Sequence, residues 1–161
     1  MKRKALFLLF YCYTLFANAA NMYVTISGDD THDGTSWESS KSSIQAAIDA
    51  SSVGDTVFIA EGIYNQSIKV KDGVHVFGGY DAFTGNRDYE VYSTIIDGTG
   101  LGKAIVNQGS SFKNPTYFDG LVLQNANHSS NGGAVILKAN GILNNCTIND
   151  CTTTGSGGAV Y

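Results

Sequence analysis

Short apolar runs in the second half of the chain recur at a fixed spacing. The phrase Gly-Gly-Ala-Val occurs at residues 132–135 and again at residues 157–160, and the agreement extends without a gap back to Phe118. Apolar residues occupy equivalent positions in the two copies, and Leu123, for example, aligns with Ile148. A period of about 20 to 50 residues indicates a repeat array. These units hold short apolar stretches split by Gly, Asn, Ser and Thr turns, which leaves no room for two helices and predicts a β-solenoid with one coil per unit.

Apolar and polar positions follow short β-like patterns along most of the chain. They predict strands at residues 21–26, 56–60, 67–70, 74–77, 94–96, 104–106, 121–123, 134–137 and 146–148. The principal strands are centred near residues 58, 76, 95, 121 and 146. Each is interpreted as one coil, with parallel strands of successive coils stacked about 4.8 Å apart. Longer loops are expected at residues 81–93 and 108–117.

One stretch departs from the β pattern and predicts a short amphipathic helix before the first coil. Ile44, Ala47 and Ile48 lie at positions i, i+3 and i+4, which places them on one face of a helix. Serines before this stretch are expected to cap its start, and Gly54 is expected to end it. Because a solenoid exposes unpaired backbone at its end, we expect the helix to cover that end.

The beginning of the chain has the pattern of a cleaved secretory signal. A basic stretch at residues 2–4 precedes an apolar run at residues 5–16, and residues 17–19 (Ala-Asn-Ala) supply a small-residue cleavage site. A transmembrane anchor is the alternative, but the apolar run is shorter than the roughly 20 residues that a bilayer span needs. The mature chain is therefore expected to start near Ala20, and to be secreted or held at the cell surface or outer membrane.

These patterns divide the chain into three segments. They are the signal (1–19), an N-terminal strand, loop and capping helix (20–54), and the coils (55–161). No second cap is visible before Tyr161, where the sequence stops directly after a repeat phrase. The coils are therefore expected to be truncated at this end. Contact with a membrane would then depend on the missing C-terminal region or on the export machinery.

The charge of the chain restricts its partners. The formal net charge is −4, and removal of the signal, with three of the ten basic residues and no acidic one, changes it to −7. An acidic surface disfavours nucleic acid and anionic lipid, and it weakly disfavours polyuronates unless calcium bridges the two. Charged residues make up only 15% of the chain, which excludes a nucleic-acid binder driven by electrostatics.

Two cysteines remain after cleavage of the signal, Cys146 and Cys151. Export permits a disulfide between them. Both align with apolar positions of the preceding unit, however, which favours small buried core residues. Whether they are bonded stays open, because two cysteines so close along one coil meet only if the chain bends sharply.

No pattern in the chain amounts to a catalytic site. Asp97 and Asp119 are the candidates for a carboxylate pair, but Asp97 follows its strand whereas Asp119 precedes its own. Glycoside hydrolysis needs two carboxylates that face one bond. The histidines show no metal-ligand spacing, and no serine or cysteine nucleophile motif is present. The catalytic residues of any enzyme function are therefore unknown.

An acidic loop with Asp29, Asp30 and Asp33 is the candidate for a cation site. Calcium takes roughly six to eight oxygen ligands, and neither the EF-hand pattern nor the RTX nonapeptide is present. Aspartates and glycines in such a loop are better explained as turn formers and strand caps. No cofactor or metal is therefore expected, with calcium as the weak alternative.

Aromatic residues that are expected to gather in the two long loops form the best candidate for a ligand surface. They are Tyr80, Tyr89, Tyr92 and Tyr117, together with Arg87, the only arginine after the signal. Aromatic faces beside polar groups suit stacking on sugar rings. The alternative is that these rings pack the loops onto the coils.

Several phrases of the chain resemble those of known families. The phrases are residues 33–37 (DGTSW), 44–50 (IQAAIDA), 54–57 (GDTV), 61–64 (EGIY), 78–80 (GGY) and 94–98 (TIIDG). The first four look like the opening of pectin-lyase-like right-handed parallel β-helix proteins, and the last two are similar to secreted surface proteins of Bacteroidetes-type bacteria. The Gly-Gly-Ala-Val phrases resemble the GGA[ILV] repeat of chlamydial polymorphic outer-membrane proteins, although both copies lack that family's FxxN phrase. The resemblance implies an all-β fold, a right-handed parallel β-helix with a short N-terminal amphipathic capping helix.

The resemblance implies one of two functions. The first is a non-catalytic secreted or outer-membrane-associated surface protein, adhesin-like or glycan-binding, whose partner is an extracellular glycan or a host or cell-surface molecule. The alternative is a polysaccharide lyase or glycoside hydrolase acting on extracellular polysaccharide, the activity most often seen on this fold. The lack of aligned carboxylates favours the first.

Overall fold

The computed structural model describes residues 19–161, which form short strands and one short helix. The predicted export signal lies outside this part of the chain except for Ala19. The elements are β1 (Asn21–Val24), α1 (Ile44–Ala50), β2 (Thr56–Ala60), β3 (Gly62–Tyr64), β4 (Ile68–Lys69), β5 (His75–Tyr80), β6 (Thr94–Asp97), β7 (Val106–Asn107), β8 (Thr116–Asp119), β9 (Leu121–Gln124), β10 (Asn127–His128), β11 (Val135–Ile136), β12 (Gly141–Asn144), β13 (Thr147–Asn149) and β14 (Thr152–Thr153). Within the described range, no helix is long and apolar enough to cross a membrane.

The strands form four sheets in which every strand pair is parallel. The strand orders are β1-β2-β5-β8-β12, β3-β6-β9-β13, β4-β7-β11 and β10-β14. The chain passes from sheet to sheet and then returns to the first sheet, and we call one such passage a circuit. Neighbouring strands within a sheet therefore come from successive circuits. The described residues are therefore mostly β, with parallel strands and one helix.

Residues that are equivalent in the sequence repeat pair with each other in the strands of the last two circuits. Phe118 pairs with Leu143, and Leu123 pairs with Ile148. Backbone conformation repeats at the same spacing. The residues with positive φ include Gly120 and Asn145, Asn125 and Asp150, and Gly132 and Gly157. The predicted alignment of the two units is thus confirmed, and left-handed residues mark equivalent turns in each.

The structure explains the first three residues of the first Gly-Gly-Ala-Val phrase. Gly132 has a φ of 75°, a conformation that L side chains rarely adopt. A Cβ on Gly133 would collide with the carbonyl oxygen of Gly158 in the next circuit. Ala134 is fully buried, and its carbonyl accepts hydrogen bonds from two backbone N–H groups of the preceding circuit. The phrase thus provides a turn followed by close stacking of two circuits.

The principal strands predicted from the sequence do not share one sheet. The strands near residues 58 and 76 pair in the five-stranded sheet, whereas those near residues 95, 121 and 146 belong to the four-stranded sheet. The interpretation of one principal strand per coil was wrong because each circuit contributes a strand to both sheets. The pattern missed β3, β8, β10, β12 and β14, which are short and contain polar or glycine residues.

The core is filled by side chains from alternate strand positions. In β9, Leu121 and Leu123 are buried while the two residues beside them are partly exposed. Phe118 of β8 is fully buried next to them. Burial of one such side chain contributes about 1.5–3 kcal/mol. Leu143 and Ile148 of the last circuit also pack against this core but are only partly buried.

The helix forms as the sequence predicts, and it covers the edge of the three-stranded sheet. Ile44, Ala47 and Ile48 are fully buried, and Ser43 is the N-cap. The side chain of Gln45 accepts a hydrogen bond from the Lys69 N–H (2.7 Å) and donates to the Lys69 carbonyl (3.2 Å). Gln45 therefore takes the place of a neighbouring strand beside β4.

The end of the helix differs from the sequence prediction. α1 ends at Ala50, and Ser51 is the C-cap in an extended conformation. The Ser51 hydroxyl donates to the Ala47 carbonyl (2.7 Å), so that the last turn is closed by a side chain. Gly54, which was expected to end the helix, instead has a φ of 94° in the following turn.

Candidate ligand-binding face

The outer side of the five-stranded sheet presents a row of aromatic rings. Alternate residues of a strand point to opposite faces of a sheet. Tyr23, Phe58 and Phe77 are each partly exposed and lie between buried neighbours in β1, β2 and β5. The register pairs Tyr23 with Phe58 and Phe58 with Phe77. We define the aromatic face as Tyr23, Trp37, Phe58, His75, Phe77, Tyr80 and Tyr117.

The rings of the first circuits touch one another. The ring centroids of Tyr23 and Phe58 are 5.6 Å apart, and those of Phe58 and Tyr80 are 4.9 Å apart. Trp37 lies between Tyr23 (4.7 Å) and Tyr80 (5.7 Å). Aromatic pairs at about 4.5–7 Å stabilise each other beyond their buried area. The rings of the face therefore support one another.

His75 and Tyr117 extend the face toward β8. Their ring centroids are 5.3 Å apart, and the His75 ring stacks on Phe77 at 6.2 Å. The Tyr117 N–H donates to Nδ1 of His75 (3.4 Å). Burial lowers the pKa of His75, in agreement with a neutral ring whose Nδ1 accepts this hydrogen bond. The proton of neutral His75 is then on Nε2, which makes Nε2–H a donor.

The loop between β5 and β6 folds back onto one edge of the face. Arg87 pairs with Tyr80 in an antiparallel bridge. Gly79 has a φ of 86°, and a Cβ there would lie 2.7 Å from Tyr89. A Cβ on Gly120 would lie 2.9 Å from both Tyr89 and the Arg87 guanidinium. These two glycines therefore leave the space in which the loop is seated.

Arg87 joins this loop to the sheet. Its guanidinium forms an ion pair with Asp119, and its Nε–H donates to the Gly78 carbonyl (3.0 Å). The same guanidinium lies over the rings of Phe77 (5.3 Å) and Tyr80 (5.6 Å). Cation–π contacts at such distances contribute about 0.5–1 kcal/mol at exposed sites. The positive charge at this edge of the face is thus partly neutralised and fixed in place.

The structure brings together most of the candidate ligand residues predicted from the sequence. Tyr80 and Tyr89 both lie against Arg87, and Tyr117 lies further along the same face beside His75. Tyr80 and Tyr117 belong to β5 and β8, so their placement in the long loops was wrong. Tyr92 makes none of these ring contacts. Its backbone N–H donates to the Asp88 carbonyl within the loop.

The sequence reasoning missed five members of the aromatic face. They are Tyr23, Trp37, Phe58, His75 and Phe77. A signal for four of them was present, because an aromatic or histidine side chain alternates with buried aliphatic residues in β1, β2 and β5. Trp37 lies outside these strands and gave no such signal.

The two carboxylates considered for catalysis lie in different sheets. Asp97 is in β6 and pairs in register with Gln124, whereas Asp119 is in β8. Hydrogen bonds from Gln124, Thr99 and Asn125 hold the pKa of Asp97 well below its usual range. A carboxyl with so low a pKa is a poor proton donor. Asp97 and Asp119 therefore do not form the facing pair that glycoside hydrolysis needs.

The acidic loop uses its carboxylates as turn acceptors. Asp29 accepts from the N–H and hydroxyl of Thr31, at 2.8 Å each. Asp30 accepts from the N–H groups of Ser42 and Ser43 at the start of α1. Among residues 19–161, no three His, Cys, Asp or Glu side chains lie close enough to hold a metal ion. These contacts agree with the turn-forming interpretation.

Cys146 and Cys151 are free thiols that pack against the core. Each donates to the carbonyl of the residue two positions before it, Asn144 and Asn149 respectively, at 3.1 Å. Burial raises the pKa of both thiols. They therefore act as small core residues, and no disulfide joins them.

Comparison of the chain with protein-family models, with curated proteins and with solved structures found no significant match. The resemblance to pectin-lyase-like proteins and to the GGA[ILV] repeat therefore stays a prediction. The described residues form a mostly β chain with parallel strands and one helix, which is compatible with a β-helix.

Proposed function

We propose that this chain is an exported right-handed parallel β-helix that binds extracellular glycan on its aromatic face. Two features support the fold. Strands from successive circuits pair in parallel, and left-handed residues recur at equivalent turns. The right-handed sense follows from the strong preference of parallel β connections for that hand. A rod of this kind suits a surface protein because it presents one long, rigid face.

The observation that supports glycan binding is the continuity of the aromatic face. Its rings come from β1, β2, β5, β8 and the loop before α1, yet they form one connected surface, and all of them are partly exposed. Sugar rings present C–H groups on their faces and hydroxyl groups at their edges. Aromatic rings stack on the C–H faces of a sugar, while amide, hydroxyl and charged groups at the border of the aromatic face bind the sugar hydroxyl groups.

Charge favours a glycan that is neutral overall. The chain is acidic, and the guanidinium of Arg87 is paired with Asp119. A uronate-rich polymer would be repelled by the acidic surface and would compete with Asp119 for the same guanidinium. We therefore place neutral polysaccharides first among the ligands to be tested.

A binding assay with matched variants tests this proposal. Soluble neutral and acidic polysaccharides are included in native gels, and the retardation of the purified protein is measured. Phe77→Ala and Tyr117→Ala remove rings of the aromatic face and are expected to weaken retardation about tenfold each or more, as for loss of a stacked ring. Phe83→Ala is the control, since Phe83 is 97% exposed and makes no ring contact with the face.

The outcomes separate the two interpretations of the aromatic rings. Loss of retardation in both face variants, with retention in Phe83→Ala and unchanged circular dichroism, supports glycan binding. Equal retardation of all variants would show that the rings only pack the sheet. An absence of retardation by every polysaccharide would contradict the proposed function.

Export is a separate part of the proposal and has its own test. Expression of the full chain in a Gram-negative host should release a protein that starts near Ala20. Mass spectrometry of the periplasmic and cell-surface fractions determines this N-terminus. Recovery of the intact chain from the cytoplasm alone would contradict export.

A further inference from the structure

A cavity of about 250 Å³ lies at the end of the aromatic face. Its lining residues are Val53, Gly54, Gly73, His75, Asn114, Pro115 and Tyr117. Because His75 and Tyr117 belong to the aromatic face, a ligand stacked on the face reaches the cavity without leaving the surface. The cavity is large enough for a substituent of a sugar.

Hydrogen-bonded backbone forms the floor of this cavity. The N–H of Gly54 donates to the Gly73 carbonyl (2.8 Å), and the N–H of Gly73 donates to the hydroxyl of Thr116 (2.9 Å). A Cβ on Gly73 would lie 2.8 Å from the Val53 side chain and 3.2 Å from Asn114. Only glycine therefore lets these two walls lie so close together.

Two of the walls are apolar and open to solvent. Val53 is 62% exposed, and Pro115 is exposed as well. Exposed apolar side chains are common one at a time. Here they lie on one small cavity together with the ring of Tyr117. These walls suit a methyl group.

Two polar atoms of the cavity residues have unused hydrogen-bonding capacity. Nδ1 of His75 accepts from Tyr117, which leaves Nε2–H as a donor. Asn114 donates its side-chain and backbone N–H groups to Asp72 (3.3 and 2.8 Å). Its Oδ1 accepts no hydrogen bond from residues 19–161 and is left as an acceptor. The cavity thus combines one donor, one acceptor and apolar walls.

We propose that this cavity binds the acetamido group of an N-acetylated amino sugar. The methyl group contacts Val53 and Pro115, the carbonyl accepts from Nε2–H of His75, and the amide N–H donates to Oδ1 of Asn114. A hydroxyl in the same place has no methyl group to contact the apolar walls, and it leaves one of the two polar atoms without a hydrogen bond. This inference rests on the proposed function, since the sugar ring itself stacks on the aromatic face.

Binding of matched oligosaccharides tests the inference. The purified protein is titrated with an oligomer of β-1,4-linked N-acetylglucosamine and with the β-1,4-linked glucose oligomer of the same length. The two differ at each sugar by an acetamido group in place of a hydroxyl. We expect the acetylated oligomer to bind about tenfold more tightly or better, as for loss of a hydrogen bond that leaves a partner unsatisfied.

Two variants locate the preference in the cavity. His75→Phe keeps a ring beside Phe77 and Tyr117 but removes the donor, and Val53→Ser removes one apolar wall. Both are expected to reduce the preference for the acetylated oligomer. Val53→Ser should leave binding of the glucose oligomer unchanged, whereas His75→Phe alters the aromatic face itself and is judged only by the ratio of the two affinities. His32→Phe makes the same exchange at an exposed residue of the acidic loop and is the control.

The outcomes distinguish this inference from the proposed function. Equal binding of the two oligomers, or a preference that His75→Phe and Val53→Ser both leave intact, would overturn the acetamido site while glycan binding stands. Binding of other polysaccharides but of neither oligomer would overturn it as well. If no glycan of any kind binds, both the inference and the proposed function fail.

Discussion

Gly133 lies directly against the carbonyl oxygen of Gly158, its equivalent one repeat later, and leaves no space for a Cβ between them. The second glycine faces open space, because nothing lies within 4 Å of a Cβ built on Gly158. Two identical phrases therefore differ in what each glycine tolerates. The difference arises because only the first has another circuit stacked on it among the described residues.

This contrast predicts opposite effects of the same substitution. Gly133→Ala forces two circuits apart and is expected to destabilise the fold by about 1–3 kcal/mol, as for overpacking of a close contact. Gly158→Ala is the matched control and should be neutral or slightly stabilising, since it removes backbone freedom from the unfolded chain. Urea unfolding followed by circular dichroism measures both. Equal destabilisation by the two variants would contradict the stacking described for Gly133.

A buried charge tests the inward orientation of β9. Leu123 is fully buried, and Leu123→Asp should abolish folding because it places an unpaired carboxylate in the core. Ile148 pairs with Leu123 in register but is only partly buried. Ile148→Asp should therefore destabilise the protein less than Leu123→Asp. The measurement is the midpoint of thermal unfolding, and a folded Leu123→Asp variant with an unchanged midpoint would refute the assignment.

The side chain of Gln45 is expected to stabilise the edge of β4. Gln45→Ala removes both hydrogen bonds to the Lys69 backbone and should cost about 1–2 kcal/mol. Asp49→Ala removes only the bond that Asp49 accepts from Gln45 and is the control, with an effect within about 0.5 kcal/mol. Hydrogen exchange of the Lys69 amide gives a local readout, and it should become faster in Gln45→Ala alone.

Acidification is expected to weaken the fold through His75. Burial lowers its pKa from 6.5, so the unfolded chain binds a proton more readily than the folded one. The stability that this contributes is fully present above about pH 6.5 and is lost as the pH falls toward the lower pKa of the folded state. His75→Phe should therefore flatten the fall in unfolding free energy between pH 7.5 and 5.5, values that bracket the ordinary histidine pKa of about 6.5. An identical fall in both proteins would show that His75 makes no contribution.

The sequence predicts the elements whose signal is local. Ile44, Ala47 and Ile48 define the helix because their spacing is helical. The repeat defines the register of β9 with β13, and it aligns Phe118 with Leu143 although the strands β8 and β12 themselves were missed. The helix is determined by residues within one element, and the strand register is determined by a constant separation in sequence. These parts of the fold could be predicted without knowledge of the rest.

The aromatic face could not be predicted in the same way, because the earlier circuits differ in length. Phe58 pairs with Phe77, and Phe77 pairs with Asp119. The separation in sequence of the second pair is more than twice that of the first. Because the separation in sequence between paired positions is not constant, the sequence does not align these residues with one another. Each aromatic residue therefore indicates only a strand with high β-propensity. The contact of Arg87 with Asp119 was missed for the same reason, since acidic residues nearer in sequence were available.

The spacing between paired strands also sets the entropic cost of forming each sheet. The stretch of chain between the partners Val76 and Phe118 is longer than the stretch between Phe118 and Leu143, but less than twice as long. Because the cost of closing a loop grows only with the logarithm of its length, this difference amounts to about 0.5 kcal/mol. No circuit is therefore much harder to close than another. In the proposed β-helix, coils can therefore be added one at a time, and insertions in the loops can change the proposed binding surface at little cost in stability.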